Sequence, residues 1–193
     1  MPDKLDDNLD SWYWPSWLSP DRADYYYHTL MSDIHWQTGI VRIFGKEHAI
    51  PRLQAWYGDA HCAYRYSGKT LQPLPWIPIL TELRGELAAM GYAFNSVLLN
   101  LYRDGNDKMG WHADNEEELG VFPQIASISL GATRTFQFKH RVTKQRVDLQ
   151  LAHGSLLVMQ GNTQKEWLHQ LPARKREYSA RINLTFRNIR HFT

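Results

Sequence analysis

The chain has 193 residues, of which 43% are hydrophobic and 13% aromatic, so it is long and apolar enough for one domain with a packed core. A formal net charge of +2 excludes any argument for nucleic-acid binding from total charge, and the single cysteine, Cys62, excludes an intrachain disulfide. The sequence has no secretory leader and no apolar run of bilayer length. We therefore expect a protein without membrane contact in a reducing compartment, the cytoplasm or, in a eukaryote, the nucleus.

The N-terminal segment is acidic and then rich in tryptophan. The first ten residues contain four Asp, and three Trp follow before position 18. We interpret residues 1–18 as an extension that packs its aromatic side chains on a single domain formed by residues 19–193. Ser19 is a suitable helix cap and Pro20 suits a first turn, which predicts a helix from Pro20 to Ser32.

Short strands and a turn are predicted in the region that follows. The patterns of Ile34–Trp36 and Ile40–Phe44 indicate two strands around Thr38 and Gly39. A turn is predicted over Gly45-Lys46-Glu47-His48, at the end of the second of these strands. The sequence therefore predicts a compact arrangement of hairpins here.

Two features of this region suit contacts with a ligand. The turn presents an apolar tip of Ile43, Phe44 and Gly45, which would pack against its own domain if it contacts no ligand. Further along, Tyr64 and Tyr66 alternate as in a strand and would share one face. Core packing is the ordinary alternative for both features.

A second helix is predicted over Pro75–Met90, and Gly91 suits its end. One apolar stripe runs along it at helical spacing, formed by Ile77, Leu80, Leu83 and Leu87. We expect this helix to support the core without taking part in chemistry.

Strand patterns dominate from residue 94 onward. An apolar run over Phe94–Tyr102 precedes a turn at Asp104–Asp107. Further strands are predicted at Ile125–Leu130, Thr135–Lys139, Arg146–Leu151, Ser155–Met159, Trp167–Gln170 and Arg181–Arg187. Short strands separated by turn signals favour a β-sandwich or jelly roll. We therefore predict an α+β, mainly β fold, a β-sandwich or jelly roll braced by the two N-terminal helices.

A candidate metal site lies among the predicted strands. His112 and Asp114 are one residue apart and so lie on the same side of an extended backbone, while His169 would come from another strand. Two histidines and one carboxylate, with the opposite face open, form the facial triad of non-haem Fe(II) oxygenases. The alternatives are a polar turn in which Asp114 caps a backbone group, and a structural zinc site. Structural zinc favours closed shells rich in cysteine, of which the chain has only one.

The last predicted strand alternates polar and apolar side chains. Its polar face consists of Arg181, Asn183, Thr185 and Arg187. The planar fork of an arginine grips a carboxylate with two parallel bonds, so this face makes a strong anion site if it lines a barrel interior, and an ordinary solvated face if it does not. Six residues of strand span about 20 Å, so both arginines reach one small ligand only if the strand bends or a side chain leans. Asn100 and Tyr102 would offer an amide and a phenol to the same ligand, or belong to an ordinary edge strand.

Local basic residues offer contacts with phosphates. The candidates are Arg52, Lys139, Arg141 and Lys144. Each of them is also typical of an ordinary solvated face.

Six motifs occur in order along the chain. They are Asn100-Leu-Tyr-Arg-Asp-Gly, Trp111-His-Ala-Asp, Ile125-Ala-Ser-Ile-Ser-Leu-Gly, His153-Gly-Ser-Leu, His169-Gln-Leu-Pro and Arg181-Ile-Asn-Leu-Thr-Phe-Arg. From about Gly39 to Ile189 the chain resembles the AlkB family of Fe(II)- and 2-oxoglutarate-dependent dioxygenases. Three further motifs, Phe44-Gly-Lys, Pro51-Arg-Leu-Gln and Tyr57-Gly-Asp, are similar to the branch that repairs alkylated double-stranded DNA.

The resemblance implies a role for each group of residues. Iron would be held by His112, Asp114 and His169. The co-substrate 2-oxoglutarate would be held by Asn100, Tyr102, Arg181, Asn183 and Arg187. The alkylated base would meet Tyr64, Tyr66 and Glu116. In a duplex, the apolar tip of Ile43, Phe44 and Gly45 would fill the gap left by the extruded base. Residues 39–70 would then form nucleotide-recognition hairpins, and residues 94–190 a double-stranded β-helix (jelly-roll) core.

Two positions depart from the pattern of that branch. Tyr66 stands where the branch has Phe, so the added hydroxyl would alter which lesion fits best. Asn115 stands where the branch tends to have an acid, which leaves Glu116 as the expected contact with the exocyclic nitrogen of the base.

The activity implied is oxidative demethylation of N1-methyladenine and N3-methylcytosine in DNA, with duplex DNA expected. Fe(II), O2 and 2-oxoglutarate would be used, and succinate, CO2 and formaldehyde released. These lesions are cationic and pair poorly, so they are readily extruded, and a cation between Tyr64 and His112 near Glu116 would gain stacking and charge complementarity. We expect a monomer. The alternatives are the same chemistry on single-stranded DNA or RNA, and a catalytically silent nucleic-acid-binding protein, against which the intact triad and both arginines argue.

Overall fold

The computed structural model describes residues 2–43, 46–62, 64–66 and 69–190. The helices are α1 (Pro20–Asp33), α2 (Pro78–Ala89) and the one-turn α3 (Thr163–Glu166). The strands before α2 are β1 (Asp3–Asp6), β2 (Leu9–Trp14), β3 (Gln37–Ile43), β4 (Lys46–Gly58), β5 (Tyr64–Tyr66) and β6 (Lys69–Leu71). The strands after α2 are β7 (Ser96–Tyr102), β8 (Met109–His112), β9 (Ile125–Gly131), β10 (Arg134–His140), β11 (Arg146–Leu151), β12 (Ser155–Met159), β13 (Trp167–Leu171) and β14 (Arg181–Arg187).

Two antiparallel sheets pack against each other. The larger sheet has the strand order β1-β2-β12-β9-β14-β7-β4-β3, and the smaller has the order β11-β10-β13-β8. Strands β5 and β6 pair separately. The predicted mainly β, jelly-roll fold with two bracing helices is confirmed.

The two long helices cover the outer face of the larger sheet. Leu80, Leu83 and Leu87 of α2 are fully buried in one cluster with residues of α1 and with the apolar face of β14. Burial of each such leucine stabilises the fold by about 1.5–3 kcal/mol. Gly91 takes the left-handed φ of 91° just after α2, as the predicted helix end requires. None of the helices in the described ranges has the length and apolar character needed to cross a bilayer.

A second core lies between the two sheets. Its members are Leu9, Tyr13, Ile125, Phe138, Leu151, Leu157, Met159 and Trp167. They come from strands of both sheets. Each strand directs every second side chain into this core, because successive side chains point to opposite faces of a sheet. This core holds the small sheet against the large one.

The N-terminal segment is part of the larger sheet. The sequence predicts an extension at residues 1–18, whereas the structure has a hairpin there, and β2 pairs with β12. The hydroxyl of Tyr13 donates a 2.7 Å bond to the carbonyl of Gln150 and accepts one from the backbone N–H of Ala152. The aromatic residues of this segment therefore belong to the same packed domain as the rest of the chain.

The turn predicted over Gly45–His48 is wrong for residues 46–48, which begin β4. The strand predicted at Ile34–Trp36 is also wrong, and Thr38 and Gly39, around which two strands are predicted, are themselves in a strand. These two residues lie within β3, which pairs with β4 and is irregular between positions 38 and 40. A Cβ on Gly39 would lie 2.5 Å from the side chain of Ile50, so glycine here permits close contact between neighbouring strands.

Candidate metal centre and adjoining cavities

Two of the predicted metal ligands face each other across a pair of strands. His112 ends β8, His169 lies in β13, and the two are cross-strand partners. Their Nε2 atoms are 3.1 Å apart. Two nitrogens bound at about 2.1 Å to one metal and at a right angle would lie about 3 Å apart, so this spacing fits a shared metal.

Protein contacts orient both imidazoles. Nδ1 of His112 lies 2.9 Å from the carbonyl oxygen of Gly110. Because that oxygen can only accept, Nδ1 carries the proton of the neutral ring and Nε2 keeps its lone pair. His169 is buried, and the ring of Phe136 stacks on it with centroids 5.3 Å apart.

Asp114 supplies a carboxylate just beyond the end of β8. Its Oδ2 lies 3.7 Å from Nε2 of His169, and one ligand atom from each of the three residues lies within 4.8 Å of the others. Its Oδ1 accepts a 2.6 Å bond from Nη2 of Arg187. The side chain thus bonds to an arginine instead of capping a backbone group, and its second oxygen is left on the side of the imidazoles.

The charge states of these groups suit a metal. Burial lowers the pKa of His169 to about 3, so its ring is neutral at pH 7. Burial alone would raise the pKa of Asp114, but Arg187, His169 and His112 together lower it below its ordinary value. A neutral imidazole and an ionised carboxylate are the forms that bind metal ions.

The polar face of β14 lines the same cavity as the triad. This cavity has a volume of about 40 Å³, and its walls include Arg181, Asn183, Thr185 and Arg187. The first three are buried, and the alternate side chains of β14 pack under α1 and α2. The face therefore lies inside the barrel, and a solvated position is excluded for these three residues.

Arg181 is a buried cation at one end of this face. Its Nη2 donates a 2.8 Å bond to Oγ of Ser129, and its guanidinium lies 5.3 Å from the ring centroid of Tyr102. Its Nε has no hydrogen-bond partner, and no salt bridge reaches it from the described part of the chain. Burial lowers the pKa of Arg181 to about 10. The buried guanidinium of Arg181 therefore has no negatively charged partner among the described residues.

The other predicted co-substrate residues lie on the neighbouring strand. Tyr102 and Asn100 of β7 are the cross-strand partners of Arg181 and Asn183. Oδ1 of Asn100 accepts 2.9 Å bonds from Nε of Arg52 and from the amide of Gln54, which orients it. Arg52, a predicted phosphate contact, therefore points toward the co-substrate residues, and burial lowers its pKa.

A larger cavity of about 560 Å³ adjoins the first and shares Leu98 and Arg187 with it. Glu116, the expected base contact, lies in its wall. The wall also contains Gln54, which ends the Pro51-Arg-Leu-Gln motif, and Gln37, Trp56 and Glu118, which no sequence pattern singled out. Two carboxylates beside an indole suit a flat cationic ligand.

The remaining predicted substrate residues are described only in part. Tyr64 and Tyr66 belong to β5, and Ile43 ends β3, but their side chains lie outside what the structure describes, as do Phe44 and Gly45 altogether.

Among the predicted phosphate contacts, Lys139 lies over the ring of Trp111 with Nζ 4.4 Å from the centroid. Arg141 and Lys144 lie in the exposed turn between β10 and β11. These three basic side chains are separate from the cavity that holds the triad.

Two further residues support the site without any signal in the sequence. Arg134 is buried and donates to the carbonyls of Asp104, Asp107 and Pro172, which fixes the loops beside Tyr102. Gln164 is buried and contacts the backbone of Asp114. Their partners are distant in sequence, so no local spacing points to them.

Comparisons with known proteins agree with this geometry. A family model described as the 2OG-Fe(II) oxygenase superfamily matches residues 11–187. The chain is 45% identical to a DNA oxidative demethylase ALKBH2 of Bos taurus, over 86% of this chain and 64% of that protein. It is 39% identical to an alpha-ketoglutarate-dependent dioxygenase alkB homolog 3 of Homo sapiens, over 91% of this chain and 65% of that protein. The chain thus spans slightly less than two thirds of the length of each. A solved structure of OsALKBH1 matches the fold with a TM-score of 0.68 at 16% identity, covering 97% of this chain and 100% of that one.

Proposed function

This chain belongs to the 2OG-Fe(II) oxygenase superfamily, and on that premise we propose that it is a DNA repair enzyme that demethylates alkylated bases by oxidation. Its substrates are N1-methyladenine and N3-methylcytosine. One oxygen atom of O2 leaves with the methyl carbon as formaldehyde, and the other enters succinate as 2-oxoglutarate loses CO2. The observation that carries this proposal is the shared cavity of the triad and the buried polar face of β14.

In this proposal His112, Asp114 and His169 hold Fe(II). The support is the 3.1 Å spacing of the two Nε2 atoms, the neutral and ionised states of the ligands, and the free oxygen of Asp114. When bound, iron and 2-oxoglutarate together supply the oxidation of the N-methyl group. Arg187 holds Asp114 ionised and fixes which of its oxygens faces the imidazoles.

The co-substrate lies along the polar faces of β7 and β14. Arg181 is the anchor for the carboxylate far from iron, because it is a buried cation with an unbonded Nε in the wall of the cavity. Tyr102, Asn100 and Asn183 flank it on the two strands. Since Arg187 already bonds Asp114, it acts at the iron end, and the two arginines do not need to converge on one carboxylate.

The alkylated base occupies the larger cavity. Its walls supply Glu116 and Glu118, which complement the positive charge of N1-methyladenine and N3-methylcytosine, and the indole of Trp56. In this proposal Tyr64 and Tyr66 stack on the base. Because this cavity shares Arg187 with the triad cavity, a base held there lies beside the proposed iron.

Duplex DNA is the preferred substrate in this proposal, with Ile43, Phe44 and Gly45 filling the gap left by the extruded base. We expect Phe44→Ala to lower formaldehyde release from a methylated duplex far more than from the same lesion in a single strand. Phe122→Ala is the matched control, because Phe122 is exposed in a different loop. Equal losses of formaldehyde release on duplex and single strand would show that Phe44 does not fill the gap left by the extruded base.

The same chemistry on single-stranded DNA or RNA is the second candidate, favoured by the similarity to the alkB homolog 3 protein. Formaldehyde release from oligonucleotides with one modified base, offered as duplex DNA, single-stranded DNA and RNA, distinguishes the two. We expect fastest release from duplex DNA. Release from RNA alone would overturn the DNA proposal, and release from none would favour a silent binding protein.

A further inference from the structure

The sheet fixes two members of the triad but not the third. His112 and His169 are paired in the ladder between β8 and β13. Asp114 lies two residues after the last residue of β8, outside every strand, although it is buried. Its backbone therefore needs another partner, because a buried N–H left without one costs about 1–3 kcal/mol.

Gln164 is that partner. Its side-chain Oε1 accepts a 2.9 Å bond from the backbone N–H of Asp114 across fifty residues of sequence. Gln164 is 1% exposed, and its amide nitrogen lies 3.5 Å from Sδ of Met159. A backbone N–H can only donate, so the oxygen end of the amide must face Asp114.

The position of Gln164 in the chain joins two ligand-bearing segments. It lies in α3, which leads directly into β13, the strand that carries His169. The neighbouring Thr163 anchors α3 by donating a 3.0 Å bond to the carbonyl of Asp10 in β2. A displacement of Asp114 relative to His169 would therefore break the bond to Gln164.

We propose that Gln164 is a positioning residue that sets the metal affinity of the site by holding the backbone of Asp114 beside the two imidazoles. The inference rests on the metal site proposed above. Arg187 orients the Asp114 carboxylate, whereas Gln164 fixes the main chain from which that carboxylate extends. Groups outside the immediate ligands typically contribute 10–100-fold to metal affinity.

The test is the affinity of the full chain for Mn(II), measured by titration with EPR detection of the free ion. We expect Gln164→Met to weaken binding by about 10–100-fold. Gln164→Glu keeps an acceptor oxygen at the same reach and is expected to stay within a few-fold of the unsubstituted protein. Gln170→Met is the matched control, since its amide bonds Gln137 in the same sheet and not the triad.

A readout from turnover separates positioning from general stability. The Fe(II) concentration that gives half-maximal turnover should rise in Gln164→Met, while turnover at saturating Fe(II) stays close to that of the unsubstituted protein. If Gln164→Met does not fold, Gln164→Asn replaces it, because its shorter side chain cannot reach Asp114.

Two contrary outcomes are distinguishable. Unchanged Mn(II) affinity in Gln164→Met or Gln164→Asn, with weakened affinity in Asp114→Ala, would overturn the role of Gln164 alone. Equal Mn(II) affinity in the unsubstituted protein and Asp114→Ala would overturn the metal site itself.

Discussion

Arg181 is a buried positive charge that no carboxylate of the described chain neutralises. Its contacts are the hydroxyl of Ser129 and the face of Tyr102, both of which leave the charge in place. Burying an unpaired cation is costly, and burial accordingly lowers the pKa of Arg181 to about 10. A dicarboxylate bound in the cavity would remove that cost, which supports the proposal that Arg181 anchors the co-substrate.

Arg181→Met is expected to raise the KM for 2-oxoglutarate by about 10–100-fold, because a hydrogen bond to a charged group contributes about 1.5–3 kcal/mol. The measurement is succinate release as a function of 2-oxoglutarate. Lys175→Met removes one positive charge from an exposed loop and should leave that KM unchanged. A folded Arg181→Met protein with an unaltered KM would show that the anchor lies elsewhere.

The N-terminal hairpin of β1 and β2 forms one edge of the larger sheet and contributes Leu9 and Tyr13 to the core between the sheets. Leu9, Ser11 and Tyr13 of β2 are buried and alternate with more exposed residues, which is the pattern of a strand with one buried face. Trp12 and Trp14 at the intervening positions hide this alternation in the sequence. The strand is recognisable only from its partner, β12.

Leu9→Ala tests whether this hairpin is part of the fold or an extension upon it. Leu9 is fully buried in the core between the sheets, so the substitution should lower the free energy of unfolding by about 2–5 kcal/mol. Urea denaturation gives the value. Leu74→Ala, at a largely exposed leucine, should change it far less. A loss at Leu9 no larger than at Leu74 would favour the extension.

Elements with strong local patterns were predictable from sequence. The strands Arg146–Leu151, Ser155–Met159 and Arg181–Arg187 have the same bounds in prediction and structure. The helix predicted over Pro75–Met90 begins later, at Pro78, because the residues before it are extended. The one-turn α3 is too short to show a helical period, so no sequence pattern indicated the proposed role of Gln164 in holding Asp114.

At the scale of the molecule, the space between the two sheets has an apolar part and a polar part. Leu157 and Phe138 pack with the N-terminal hairpin in the apolar part. Strands β7, β8, β13 and β14 line the polar part, where the triad and Arg181 lie. Apolar packing thus stabilises the fold in one part, and the other part contains the cavity that we propose for the co-substrate.

The site could be predicted from sequence only where its residues share a strand or a short motif. Alternation placed Arg181, Asn183 and Thr185 on one face, and the His-X-Asp spacing paired His112 with Asp114. Whether that face met solvent or the barrel interior depended on the second sheet, which no local pattern reveals. Arg134, Gln164 and Trp56 act through contacts distant in the chain, so their roles required the tertiary structure.

The central claim is that His112, Asp114 and His169 form one iron site that oxidises a methyl group on DNA. The direct measurement is succinate and formaldehyde release from a duplex with one N1-methyladenine, with Fe(II), O2 and 2-oxoglutarate, for the unsubstituted chain and for Asp114→Ala. We predict equal amounts of both products from the unsubstituted chain, and neither product from Asp114→Ala although that variant still binds the duplex. Turnover retained in Asp114→Ala, or succinate without formaldehyde in the unsubstituted chain, would contradict the account.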